Sequence, residues 1–221
     1  YNGLGYSGTN SGGSLYITSS IFRNNKGGLA PNTLDSELLP PERETFIIGN
    51  LIENNNNYNS PATNSTYLSY GNGVVIAGGN NNIIKNNVIV DHDLYGVILT
   101  ASMDVNYWPA HGNRVEENLI LSSRKADIAV SGISNLANCF EGNYFNTSIP
   151  PGLQALNGCE KNIIPLSADL SGLWSTIARL IFANTGDFYQ DDWRTLPAPE
   201  QQENMPIMQE IIDANDNGQY E

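Results

Sequence analysis

One phrase recurs along this chain at a spacing that no helix bundle uses. An apolar residue is followed by two spacers, an Asn or Ser, one further residue and a second apolar residue. It reads Ile17-Thr18-Ser19-Ser20-Ile21-Phe22, then Ile47-Ile48-Gly49-Asn50-Leu51-Ile52, then Ile84-Lys85-Asn86-Asn87-Val88-Ile89. It returns as Val115-Glu116-Glu117-Asn118-Leu119-Ile120 and as Phe140-Glu141-Gly142-Asn143-Tyr144-Phe145. The polar anchors fall at 20, 50, 87, 118 and 143, in steps of 30, 37, 31 and 25 residues. A period in that range marks a stacked array of repeats, which binds along its sides rather than in one central pocket.

Each phrase reads as two short strands bent at a polar corner, and a further apolar strand follows. The followers are Gly28-Leu29-Ala30, Gly73-Val74-Val75-Ile76-Ala77, Gly96-Val97-Ile98-Leu99-Thr100 and Asp127-Ile128-Ala129-Val130-Ser131. β-Branched runs bounded by Gly and Asn are strand signals. Val97 lies ten residues past Asn87 and Ile128 ten past Asn118, so the register is kept from unit to unit. The corners are too short for crossover helices, so the strands must stack coil on coil. Coils about 4.8 Å apart bring equivalent side chains into contact. Asn50, Asn87, Asn118 and Asn143 are therefore expected to form an internal amide ladder that holds the register.

These residues, with Asn82-Ile83-Ile84-Lys85-Asn86-Asn87-Val88-Ile89 and Gly96-Val97-Ile98-Leu99 as the clearest runs, resemble the right-handed parallel β-helix repeat proteins, the pectate-lyase-like and NosD-like group. The resemblance covers about residues 15–146. It implies an all-β solenoid, a right-handed single-stranded parallel β-helix of about five coils. It implies no single activity, because the group includes lyases, hydrolases, epimerases, adhesins and phage proteins.

Composition narrows the partners. The 221 residues include 31 Asn and 21 Gly, residues suited to tight corners. The net charge is −13, and residues 160–221 hold 11 acids and 3 bases, so −8 of it sits in the last quarter. No basic stripe is available to neutralise phosphates, which argues against nucleic acid. No run approaches 18 apolar residues, so no membrane-spanning helix is expected. Cys139 and Cys159 are expected to form a disulfide that staples the end of the repeats, as suits an extracellular, cell-surface or periplasmic protein. The chain begins at Tyr1 in mid-pattern and reads as part of a longer chain or assembly.

Residues 1–149 read as the repeats, 150–196 as a C-terminal cap and 197–221 as a Pro-rich linker with an acidic tail. Within the cap, residues 167–183 carry Leu170, Leu173, Trp174, Ile177, Leu180 and Ile181 at helical spacing. A helix-bearing cap would cover the open core and strand edges of the last coil. In the tail, Asp213, Asn215 and Asn217 followed by Gly218 match the first half of a Ca²⁺-binding loop, with Ca²⁺ as the cofactor it would take. The chain as given ends before that motif's twelfth position.

Three loops interrupt the coils: Ala30–Arg43, Ala101–His111 and Asn57–Asn72. The first two follow equivalent strands and should emerge along one edge. The second of them gathers Asp104, Tyr107, Trp108 and His111, aromatic rings and hydrogen-bonding groups suited to holding a sugar ring, or else a loop whose Trp and Tyr pack down on the solenoid flank. At the corner after Val90 stand Asp91, His92 and Asp93, where other units carry Asn or Ser, and Arg124 occupies the Asp93 column one unit later. A carboxylate, an imidazole and a guanidinium so placed could abstract a sugar proton and stabilise the anion. The triplet resembles the Asp-Pro-His-Asp motif of mannuronan epimerases, without its Pro. The plainer reading is a solvated turn in which Asp93 and Arg124 form a surface ion pair of little energetic value.

Two functions follow. The first is a non-catalytic extracellular or cell-surface module that binds polysaccharide or a neighbouring surface protein. The second is a polysaccharide lyase or C5-epimerase acting on a uronate polymer, with His92 as base. The acidic balance favours the first, since a polyanionic substrate calls for a basic groove.

Overall fold

The computed structural model describes residues 1–36, 38–60, 69–131 and 137–160. Numbered in chain order, their strands, one short antiparallel hairpin aside, fall into three parallel sheets that form the sides of a β-helix. Sheet I stacks β2 (Gly12–Thr18), β5 (Arg43–Ile48), β8 (Ile83–Lys85), β13 (Arg114–Glu116) and β16 (Cys139–Glu141). Sheet II stacks β3 (Ile21–Arg23), β6 (Leu51–Glu53), β9 (Val88–Val90), β14 (Leu119–Leu121) and β17 (Tyr144–Phe145). Sheet III stacks β1 (Leu4–Thr9), β4 (Gly27–Asn32), β7 (Val74–Ala77), β10 (Tyr95–Thr100), β15 (Ala126–Ser131) and β18 (Ser148–Ile149). The chain visits the sheets in turn, so each circuit adds one strand to each.

The register repeats the sequence phrase. Ile17, Ile47, Ile84, Val115 and Phe140 stand opposite one another along sheet I, and all point into the core. Ile52, Ile89 and Ile120 of sheet II and Val74, Val97 and Ile128 of sheet III meet them, all with no exposed surface. Each buried aliphatic side chain contributes on the order of 1.5–3 kcal/mol through removal from water.

The three corners share one local rule. Between sheets I and II the left-handed conformation falls on Ser19, Gly49, Asn86, Glu117 and Gly142, with φ between 49° and 68°. Between II and III it falls on Asn24, Asn54, Asp91 and Ser122, and between III and I on Glu44, Asn81, Gly112 and Ala137. A left-handed residue reverses the local curl and turns the chain onto the next side. The residue after it then points inward, where its polar group must find a partner or cost stability.

Those inward residues form ladders. The backbone and side-chain amides of Asn50 both donate to Asn87 Oδ1, at 2.9 and 3.0 Å. Asn118 donates in the same way to Asn143, at 3.0 and 2.9 Å. A second ladder runs Thr45, Asn82, Asn113, Asn138, and a third begins Asn25, Asn55.

After β18 the chain forms one helical turn, α1 (Leu153–Leu156). Leu153 is fully buried in the end of the core, and Gln154 Oε1 accepts both amides of Asn143 at 2.9 Å, ending the ladder. Cys139 and Cys159 are joined by a disulfide across this end. The longer cap helix expected at 167–183 lies outside the described residues. The chain divides into two compact units, Tyr1–Gln190 and Asp191–Glu221, and the second is wholly outside them. Among the described residues no helix is long and apolar enough to cross a membrane.

Candidate functional site

The corner rule accounts for Asp91 and His92. Asp91 is the left-handed residue of its coil at φ 61°, in the column of Asn24, Asn54 and Ser122, and it is exposed. His92 is the next residue, so its side chain turns inward. It is 1% exposed, and its Nε2 lies 3.4 Å from Asn55 Nδ2, which places the ring in the third ladder. Its Nδ1 is buried without a hydrogen-bond partner among the described residues.

Burial in this apolar wall lowers the His92 pKa to about 4, against an opposing pull from the Asp93 carboxylate. The imidazole is thus neutral near pH 7 and walled off from any polymer lying on the surface. The sequence offers His92 as a base, and the structure buries it. The physical reason is the alternation imposed by the left-handed Asp91, which sends residue 92 into the core.

Outside the same corner, Asp93 and Arg124 do come together. Arg124 Nη1 lies 3.3 Å from Asp93 Oδ1, and the Tyr70 hydroxyl donates to Asp93 Oδ2 at 2.7 Å. Asn56 Oδ1 accepts from the Asp93 amide at 2.7 Å, and Asn56 Nδ2 donates to the Asp91 carbonyl at 2.9 Å. Desolvation and the bond to Asp93 push the Tyr70 hydroxyl up to about 12, so it stays a donor. The Arg124 side chain is 77% exposed, so its ion pair contributes little to stability. Beside this group the exposed Tyr58 ring stands edge-on to Tyr70, centroids 5.9 Å apart, with Lys26 Nζ 5.3 Å from its own centroid.

The second edge holds a clasp between two loops. Both leave sheet III on the same side, after β4 and β10, and Ser102 Oγ donates to the Thr33 carbonyl at 2.7 Å. Asp35 binds the opposite loop. Its carboxylate accepts from the Asn106 backbone amide at 2.7 Å, Asn106 Nδ2 at 2.6 Å and Trp108 Nε1 at 3.2 Å. Its own amide donates to Asp104 Oδ2 at 2.8 Å. The Asn106 bonds, backbone first, hold the Asp35 pKa below the usual carboxylate value.

Asp104 and Trp108, expected to face a sugar, therefore spend polar groups on Asp35. Tyr107 is 40% exposed in the hairpin formed by β11 (Ser102–Met103) and β12 (Tyr107–Trp108). His111 is exposed and bridges Asn80 through its backbone, at the start of the next coil.

Tyr58, Tyr70, Asn56 and Asp35 were not singled out by the sequence. The Asn, Ser and Tyr enrichment of 57–72 was the available signal for the two tyrosines, and nothing local marks Asp35. Among the described residues one group of three potential metal ligands lies close together, Glu116 with Cys139 and Cys159. The two sulfurs are bonded to each other and offer no thiolate. The Ca²⁺ loop at Asp213, Asn215 and Asn217 lies outside the described residues.

Comparison with known proteins finds no matching family model, no significantly similar curated protein and no significantly similar solved structure.

Proposed function

We propose that this chain is a non-catalytic extracellular or cell-surface β-helix module, akin to the pectate-lyase-like and NosD-like repeat proteins, that binds neutral glycan at the corner between sheets II and III. The burial of His92 carries this reading, because it removes the imidazole from the face on which a polymer would lie. The groups left outside suit recognition. Tyr58 offers an exposed ring, and Tyr70, Asn56, Asp93 and Arg124 are held in one hydrogen-bonded set beside it. Sugar rings stack on such faces while their hydroxyls meet fixed polar groups. An acidic chain suits a neutral glycan better than a polyanion. Bound Ca²⁺ at Asp213, Asn215 and Asn217 is part of the same proposal for the tail.

A glycan array with the wild-type chain and with Tyr58→Ala tests the reading. Binding of neutral glycans by the wild type, weakened tenfold or more in the variant, is the expected result. An array without hits sinks glycan binding and leaves a neighbouring surface protein as the partner class. Release of unsaturated uronate from pectate or alginate by the wild type, lost in Asp93→Asn, would overturn the non-catalytic assignment. A melting temperature unmoved by calcium would remove the Ca²⁺ loop.

A further inference from the structure

The two loops of the second edge carry the apolar side chains that stand furthest into solvent. Leu38, Val105 and Leu39 are 87%, 85% and 76% exposed, more than any other large apolar side chain among the described residues. Met103 and Tyr107 of the same pair follow at 44% and 40%. A single surface leucine needs no explanation, but five large apolar side chains gathered on two joined loops mark an interaction site.

The loops are ordered before any partner arrives. The Asp35 carboxylate ties the first to Asn106 and Trp108 of the second, and Ser102 Oγ donates to the Thr33 carbonyl at their base. Arg43 Nη1 donates to the Leu39 and Pro41 carbonyls at 3.3 and 3.0 Å, which fixes the returning limb. Leu39 itself is held left-handed at φ 61°, outside the corner columns and against the preference of a bulky side chain. Loops held in this way lose little freedom on binding.

Exposure is graded by chemistry. The bare aliphatic groups stand furthest out, the Tyr107 ring less so, and Trp108 is half-buried with its Nε1 on Asp35. The polar groups among them are bonded across the clasp, Asp35 to Asn106 and the Asp35 amide to Asp104. A bilayer interface asks for that order, aliphatic groups deepest and Tyr and Trp at headgroup level. Being deformable, it receives protruding tips without a matched groove. Charge selects the lipid. Residues 33–42 and 101–110 contain Asp35, Glu37, Glu42 and Asp104 but no Lys or Arg, and the whole chain carries −13. An anionic leaflet repels such a chain, whereas a choline ammonium complements its carboxylates and the Tyr107 ring.

We propose that the clasped loops dock the solenoid on a zwitterionic lipid surface, with Leu38, Leu39 and Val105 in the acyl boundary and Tyr107 at headgroup depth. The chain then lies on the bilayer through its loops. Lipid docking and glycan binding use different residues, so the glycan-array result leaves this proposal untouched.

Flotation of the full chain with phosphatidylcholine vesicles tests this. Wild type should float with the vesicles, and high salt should not release it. Leu38→Ser with Leu39→Ser and Val105→Ser should weaken binding by about tenfold or more. Circular dichroism and melting temperature should stay put in that variant, because exposed side chains carry little of the fold. Ile21→Ser with Val88→Ser, on the exposed column of sheet II, should float like wild type. Absence of flotation by wild type, flotation retained by the triple variant, or an equal loss in the sheet II variant would each overturn the proposal. So would tighter binding to phosphatidylglycerol vesicles, or self-association without vesicles that the triple variant abolishes, which would make a second copy the occupant.

Discussion

Asn87 and Asn118 are joined by two hydrogen bonds to one oxygen: the Asn87 backbone amide and its Nδ2 both reach Asn118 Oδ1 at 2.9 Å. Asn87 Oδ1 receives the same pair from Asn50, and Asn87 Nδ2 also reaches the Ile47 carbonyl at 2.9 Å. Asn87→Ala takes the Asn87 bond from the buried Asn50 backbone amide and from the Ile47 carbonyl, and one of its two acceptors from Asn50 Nδ2. It should destabilise the fold by about 3–5 kcal/mol, since each orphaned group costs about 1–3 kcal/mol. Urea denaturation with an unchanged slope would measure this, and a loss below about 1 kcal/mol would refute the ladder's role.

His92 and Glu42 should give stability opposite pH slopes. The His92 pKa falls from 6.5 unfolded to about 4 folded. Between those values the unfolded chain takes the proton and the folded one refuses it, so stability drops as pH falls, by about 3 kcal/mol in all. His92→Asn matches the Asn25 and Asn55 of its column. It should be at least as stable as wild type at pH 7 and should lack this acid-side loss, as read by melting temperature across pH.

Glu42 is buried and accepts from Thr45 Oγ1 at 2.6 Å and Asn82 Nδ2 at 2.8 Å. Desolvation nonetheless raises its pKa from 4.5 to about 7. Its stabilising contribution is complete below pH 4.5 and is lost as pH rises to about 7, again about 3 kcal/mol in all. Wild type should therefore vary little between pH 4.5 and 6.5. Glu42→Gln should expose the rising His92 slope there, and His92→Asn the falling Glu42 slope.

Cys139 and Cys159 close a loop of 20 residues at the end of the solenoid. Replacing both by Ser should cost about 3 kcal/mol through the greater freedom of the unfolded chain. Wild type treated with reductant should melt with the double variant, and a variant as stable as the oxidised wild type would show the bond to be dispensable.

Asp35 joins loops more than seventy residues apart in sequence, reaching Trp108 Nε1 at 3.2 Å. Asp35→Ala should speed proteolytic nicking within 33–42 and 101–110 and leave the global melting temperature nearly unchanged. An unaltered nicking pattern would mean that the clasp does not order these loops.

The anchor column at 20, 50, 87, 118 and 143 was legible because each coil repeats it, and repetition at a fixed offset is a local property of the sequence. The other two ladders were written there as well, in the pairs Asn24-Asn25, Asn54-Asn55, Asn81-Asn82 and Gly112-Asn113. Each pairs a left-handed residue with an inward amide, but their bounding strands vary enough to hide the period. The Asp91-His92 pair obeys the same rule with different residue types, which is why it stood out as an exception.

The sequence by itself determined the solenoid: its period, its Asn register column and the inward apolar face of each strand. Each of these depends only on neighbours one coil away and on left-handed corners that Asn and Gly adopt readily. The tertiary structure alone decided what the exceptions do. Whether His92 faces water or the wall turns on one backbone angle at Asp91. The Asp35–Trp108 clasp depends on segments distant in sequence that meet only once the coils are stacked.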